Sequence, residues 1–199
     1  ANILSTLTVK MAATMLERGA KIEDVIETMA DTLPVCRVRQ LAYSTLSILR
    51  IARDGQAYLI EYDNPPAFIG HGNQPVGLTR MKRGIGDKTV REAFFRLRTG
   101  DWVVLVSDGV INAGIGGIWN LGWGWERVNN YLLWLMGTDA AAQEAAEELA
   151  RVTKKLYAGR PGDDASIVVV KTRPPRYLTL LVGPPRDPSQ DEQVVGQLM

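Results

Sequence analysis

Thr99-Gly100-Asp101-Trp102-Val103-Val104-Leu105-Val106-Ser107-Asp108-Gly109-Val110 places a turn, an apolar run and a carboxylate in immediate succession. The aromatic and β-branched content of the run predicts a strand over Trp102–Ser107, entered from the turn at Thr99-Gly100-Asp101. Just upstream, Val90–Leu97 predicts another strand. Sequential strands joined by tight turns are the pattern of an antiparallel sheet, not of a Rossmann-type parallel one. Further out the same grammar repeats. Ala42–Ala52, Asp54-Gly55 and Ala57–Tyr62 read as a β-hairpin. Pro65-Pro66 forces an extended corner, Phe68–His71 adds a short strand, and Gly70, Gly72 and Gly77 punctuate the stretch up to residue 77.

Helical periodicity brackets this β-rich middle. Ile3, Leu7, Met11 and Met15 recur four apart up to a stop at Gly19, and Ile22, Val25, Ile26, Met29 and Leu33 repeat the pattern before Pro34. A helical hairpin is therefore expected first. Downstream, Ala113–Gly124 is Gly-rich, carries Trp119 and Trp123, and reads as a mobile loop. Trp125–Met136, ended by Gly137, and Asp139–Tyr157, with Leu149, Val152 and Leu156 inward, read as helices. Ala165–Val170 closes the module as a strand whose unbroken apolar run predicts burial on both faces. The main module is thus expected over residues 1–173. Beyond Arg173-Pro174-Pro175, a strand at Tyr177–Val182 and a helix at Ser189–Met199 are expected to begin a further α/β unit or to form an extension over residues 174–199.

Bulk properties narrow the function classes. The 199 residues, 46% hydrophobic, suffice for one substantial core. Against 23 Lys and Arg stand 22 Asp and Glu, a net charge of +1 that gives no electrostatic footprint for nucleic acid or an acidic membrane. One cysteine, Cys36, rules out an intrachain disulfide and a Cys-rich zinc site. No apolar stretch reaches the length of a membrane span. The expectation is a soluble, cytoplasmic chain with neither nucleic-acid nor membrane partners.

Two acidic turns carry the candidate chemistry. Asp108-Gly109 emerges where an apolar strand ends, a rigid mount for a hard oxygen ligand of magnesium or manganese, with a glycine that admits close backbone approach. A plain Asp-Gly turn would read the same way. Asp163-Asp164 follows Gly159, Pro161 and Gly162 and leads into the last strand. Adjacent carboxylates repel, which a divalent cation would offset; the alternative is a solvated turn in which an Asp cages backbone amides. The two turns make a better pair than either alone, since neighbouring strands can bring their ends together.

The segments Gly100-Asp101 through Ser107-Asp108-Gly109-Val110 and Gly162-Asp163-Asp164-Ala165-Ser166-Ile167-Val168-Val169-Val170 resemble the last two metal motifs of the type 2C metal-dependent protein phosphatases. The bacterial sporulation stage II E branch is the most similar. Ala42-Tyr43-Ser44-Thr45-Leu46, Asp63-Asn64-Pro65-Pro66-Ala67 and Pro75-Val76-Gly77 follow in the family's order, so the resemblance spans about Ala1–Lys171. It implies an α+β fold, an antiparallel β-sandwich flanked by helices in four α-β-β-α layers. Asp108 and Asp163 are the implied metal ligands, with Asp164 and Gly109 supporting them or joining the set, and no catalytic side chain beyond the ligands. The implied cofactor is a binuclear Mn2+ or Mg2+ centre whose bridging water attacks phosphorus without a phosphoenzyme. The implied substrate is phosphoserine or phosphothreonine in a partner protein, such as an anti-sigma-factor antagonist. The family's first metal motif, an Asp-Gly on a strand before the first helix, is expected upstream of Ala1, so the chain is expected either to be a segment of a longer protein lacking its N-terminal strands here or to be a catalytically silent module that binds a phosphoprotein.

Other residues carry less. His71, the one histidine, reads as a loop or strand-end residue, and Cys36 as an inert thiol. Trp119, Trp123 and Trp125 suit either a core or a flap that contacts a protein substrate, and Trp119 with Trp123 are taken as the candidate recognition loop. Arg37, Arg39 and Arg160 could each meet a phosphate, though each reads more simply as solvated.

Overall fold

The computed structural model describes residues 2–32, 45–85, 88–117, 121–158 and 162–173. Leu33, Cys36, Arg37, Arg39, Trp119, Arg160 and the expected elements of 174–199 lie outside the described residues. The chain opens with α1 (Asn2–Glu17) and α2 (Ile22–Thr32). Between them Gly19 adopts a left-handed φ of 84°, which a side chain would resist. On α2, Ile22, Val25, Ile26 and Met29 are all buried, the stripe their spacing predicts.

Eight strands follow among the described residues: β1 (Leu46–Ile51), β2 (Gln56–Tyr62), β3 (Phe68–His71), β4 (Gln74–Pro75), β5 (Met81–Ile85), β6 (Lys88–Arg96), β7 (Asp101–Val106) and β8 (Ile167–Lys171). Between β7 and β8 the chain forms α3 (Asp108–Ile111), α4 (Trp125–Gly137) and α5 (Ala142–Leu156). The strands make two antiparallel sheets, ordered β1-β2-β6-β5 and β4-β3-β7-β8.

Alternation along each strand assigns the layers. On β2, Tyr58 and Ile60 face α2, whose Ile22 and Ile26 cover them, while Ala57 and Leu59 face the second sheet. On β7, Val103 and Leu105 face inward to the first sheet, and Trp102, Val104 and Val106 face α4 and α5, against Val128, Leu132 and Leu149. Each such side chain removed from water contributes about 1.5–3 kcal/mol, so three separate clusters hold the layers in register. The result is the expected α+β sandwich: helices, sheet, sheet, helices. Among the described residues no helix is long and apolar enough to cross a membrane.

Three local expectations need correction. The turn at Thr99-Gly100-Asp101 does not close a hairpin between β6 and β7; it carries the chain from the first sheet into the second. Alternation cannot reveal this, because both strands have an apolar face whichever sheet they join. β8 is not buried on both faces; it is an edge strand, and Val168 is 52% exposed at the mouth of the inter-sheet space. Finally, β4 and β5 were not signalled by the sequence, since both are short edge strands whose polar and glycine content shows no apolar alternation.

Candidate functional site

β7 and β8 are neighbours in antiparallel register, with Val106 opposite Ile167. The end of one and the start of the other therefore lie together, and Asp108 and Asp163 come to the same place. Side chains and backbone then stitch the two ends. Ser107 N–H donates to the Ser166 carbonyl at 3.0 Å. The Ser107 hydroxyl donates to the Asp164 carbonyl at 3.0 Å and accepts from Ser166 N–H at 2.9 Å. That hydroxyl is thereby drawn away from capping α3, which has no side-chain cap at its N-terminus. Gly109 lies so close to the Asp164 backbone that a Cβ there would sit 2.4 Å from its carbonyl oxygen. Only glycine allows that approach. Tyr157, just past α5, completes the tie by donating its hydroxyl to the Gly109 carbonyl at 2.6 Å.

Asp108, Asp163 and Asp164 are all exposed, and one Asp163 carboxylate oxygen accepts Asp164 N–H at 2.8 Å. This is the caged turn weighed above as the alternative to a cation site; among the described residues the other Asp163 oxygen has no partner. The Tyr157 phenol is pushed above its ordinary value, first by burial and then by the charges of Asp163 and Asp108. Both carboxylates are thus near enough to one phenol to bias it, and its hydroxyl stays a donor.

The carboxylates open on a cleft of 540 Å³ lined by Thr45, Asn64, Ser107, Asp108, Asp163 and Asp164, with Thr8 of α1 at its side. Thr45 and Asn64 belong to two of the three upstream segments that carried the resemblance. A second cleft, of 390 Å³, shares Asn64 and Asp108 and is lined by Glu61, Asp63, Lys82 and Arg91. The acidic donors are all hard carboxylate oxygens, the type magnesium and manganese prefer. Among the described residues no group of three or more His, Cys, Asp or Glu is gathered closely enough to hold a metal. The carboxylates fit such an ion chemically, as part of a ligand set.

The recognition loop is only partly described, since Trp119 lies outside the described residues. Trp123 is 4% exposed, packs in the core of α4 and α5, and meets Tyr131 at 5.5 Å between ring centroids. Its ring is a packing element and not a presented anchor; glycine neighbours suggested exposure, but Gly122 and Gly124, both at positive φ, turn it inward. Among the described residues the large exposed apolar side chains of the loop are Ile115 and Leu121. Trp125 stacks on Phe68 at 4.9 Å and donates its indole N–H to the Pro66 carbonyl at 2.9 Å. His71 ends β3 with Nδ1 2.7 Å from Asp101, at the start of β7, the opposite end of the strand from Asp108.

Sequence reasoning missed Glu61. Its side chain is fully buried, accepts Ala67 N–H at 2.6 Å, and lies 3.0 Å from Arg80 Nε and 3.4 Å from Arg91 Nε. A signal existed: a lone carboxylate within the apolar strand Ala57–Tyr62 must find partners to be buried.

The model of a family described as stage II sporulation protein E matches residues 1–173. No curated protein matches the chain. Among solved structures it is similar to the phosphatase domain of the cell fate determinant SpoIIE from Bacillus subtilis, with 22% identity, a TM-score of 0.55, and coverage of 85% of this chain and 75% of that one. A manganese-presoaked form of that domain gives 23% identity, a TM-score of 0.52, and coverage of 85% and 76%. The SiaA-PP2C domain of Pseudomonas aeruginosa gives 18% identity, a TM-score of 0.62, and coverage of 85% and 69%. At these identities the likeness to solved structures is one of fold.

Proposed function

The chain belongs to the stage II sporulation protein E family of type 2C protein phosphatases, and from that premise we propose that it hydrolyses phosphoserine or phosphothreonine in a partner protein, using Mn2+ or Mg2+. The observation that carries the proposal is the pairing of β7 with β8, which delivers Asp108 and Asp163 to one cleft on a backbone tied by Ser107, Gly109 and Tyr157. Asp108 and Asp163 would hold the cation, and Asp164 would support Asp163 through its amide. The chemistry a bound divalent cation supplies is neutralisation of phosphoryl oxygens and activation of a water for attack at phosphorus.

The chain's own part is positional. Ser107 fixes the spacing of the two acidic turns, and Gly109 lets them close. A misplacement of 1 Å is worth roughly a hundredfold in rate, so these ties matter as much as the ligands. The cleft is open to solvent, which suits a phosphorylated side chain presented by a protein, and Ile115 and Leu121 offer exposed apolar contact on the loop that follows α3. A phosphorylated anti-sigma-factor antagonist in the cytoplasm is the partner this reading favours, with residues 1–173 as the catalytic module and 174–199 as an extension.

A manganese titration with Asp108→Asn, Asp163→Asn and Asp164→Asn tests the assignment. The first two should weaken manganese binding and phosphopeptide turnover sharply, and the third should do less. Small, equal effects from all three would refute the site, and metal-independent phosphopeptide binding without turnover would identify a silent module instead.

A further inference from the structure

The second cleft holds cations the proposed chemistry has not used. Arg91 on β6 lies directly opposite Glu61 on one side and Lys82 of β5 on the other. Residues directly opposite across a sheet project from the same face, so all three side chains point into the inter-sheet mouth where Asp108 stands. Like charges in that position repel, and Arg91 with Lys82 is such a pair. The carboxylate of Glu61 is already shared between Arg80 and Arg91, at 3.0 and 3.4 Å. Arg91 is further fixed by donating Nη2 to the Asn64 carbonyl at 2.5 Å, while its buried Nε makes no hydrogen bond. Among the described residues nothing pairs with Lys82. Two guanidiniums thus bracket one buried carboxylate, which leaves Lys82 as the unpartnered cation on a cleft wall that faces Asp63 and Asp108.

We infer that Lys82, positioned beside the braced Arg91, is a binding site for a tetrahedral phosphate oxyanion, either the phosphoryl group of the bound substrate or the released inorganic phosphate. The inference rests on the proposed function for the first of these sources and not for the second. Its geometry comes from the shared lining: Asn64 and Asp108 belong to both clefts, so a phosphate near Asp108 is a neighbour of the β5–β6 wall. An oxyanion there would relieve the Arg91–Lys82 repulsion and accept charge-assisted hydrogen bonds from the ammonium. Asp63 faces the same cleft and is the competing charge. Its backbone has a left-handed φ of 55°, next to Asn64 in the chain.

The test measures inorganic phosphate binding by calorimetry and, in parallel, KM and kcat for p-nitrophenyl phosphate in manganese. Lys82→Gln should raise the phosphate dissociation constant about tenfold, the loss of one charge-assisted contact. Lys82→Arg should keep it within about threefold, and Asp63→Asn should tighten it. Lys82 is exposed, so melting temperatures should stay at the wild-type value. A rise in KM at unchanged kcat assigns the site to the substrate's phosphoryl group; a rise confined to the phosphate constant assigns it to the product. Unchanged phosphate affinity and unchanged KM in Lys82→Gln would overturn the inference, as would a wild-type protein that binds no phosphate. A wild-type protein without turnover would refute the proposed function alone, because the phosphate arm would still decide this one.

Discussion

Replacing Gly109 with alanine tests how the acidic turns are held together. The added Cβ would meet the Asp164 carbonyl oxygen at 2.4 Å, its carbon at 2.9 Å and the Ala165 Cα at 3.3 Å. All three are backbone atoms, so no flexible side chain can swing away. Restoring an ordinary contact of 3.4 Å to the oxygen means moving one strand end by about 1 Å relative to the other. Overpacking of that size costs about 1–3 kcal/mol of stability. The same displacement parts Asp108 from Asp163, and about 1 Å is worth roughly a hundredfold in turnover. Gly77→Ala is the control, since a Cβ there meets nothing within 4 Å and φ is not left-handed. Thermal melting with and without manganese, together with phosphopeptide turnover, reads both effects. Gly109→Ala should melt lower, lose most of the manganese-induced shift in melting temperature and lose activity, while Gly77→Ala should match the wild type. A Gly109→Ala protein with a full manganese shift and full activity would show that the two acidic turns do not act together.

Packing and charge set the other outcomes. Trp123→Ala should cost about 3–5 kcal/mol because its ring is in the core, whereas Leu121→Ser should stay within about 0.5 kcal/mol yet slow phosphoprotein turnover more than that of an aryl phosphate. Equal losses on both substrates would remove the loop from recognition. Glu61→Gln should destabilise by about 3 kcal/mol, the low end for a broken buried pair because the guanidiniums are partly exposed, and urea titration measures it. Burial, with the hydrogen bond to Glu148, pushes the Tyr131 phenol up to about 12. A folded value above the unfolded one favours the native state fully below pH 10 and is lost as pH rises through about 12, so Tyr131→Phe should flatten the alkaline limb of the melting profile. Hydrogen bonds from Arg151, then Tyr131, hold Glu148 down at about 2; that contribution is present above pH 4.5 and is lost on acidification towards 2, so Glu148→Gln should flatten the acid limb.

The sequence disclosed what local chemistry controls. The acidic turns at Asp108 and Asp163 stand out as candidates because apolar strands bound them, and α2 is legible because its buried stripe repeats at helical spacing. What stayed hidden depends on partners distant along the chain. Nothing in Lys88–Arg96 or Asp101–Val106 says that the two strands belong to different sheets. Trp123 could not be assigned to the core until Gly122 and Gly124 were seen to turn it inward. Lys82 and Arg91 look like solvated charges until the strand register sets them side by side above Glu61.

The ties at Ser107 join residues 57 and 59 positions apart, with α4 and α5 between them. Closing a loop of that length costs roughly 3–4 kcal/mol in chain entropy before any contact offsets it. β7 pairs with β8 across a loop that contains α4 and α5, which pack on Trp102 and Val104, so the acidic pair depends on a contact of high sequence separation. Until that contact forms β7 has an open hydrogen-bonding edge that β8 of a second molecule would satisfy equally well. The pairing of the two acidic turns is thus a long-range contact, and a chain caught before it forms is liable to exchange strands with its neighbours.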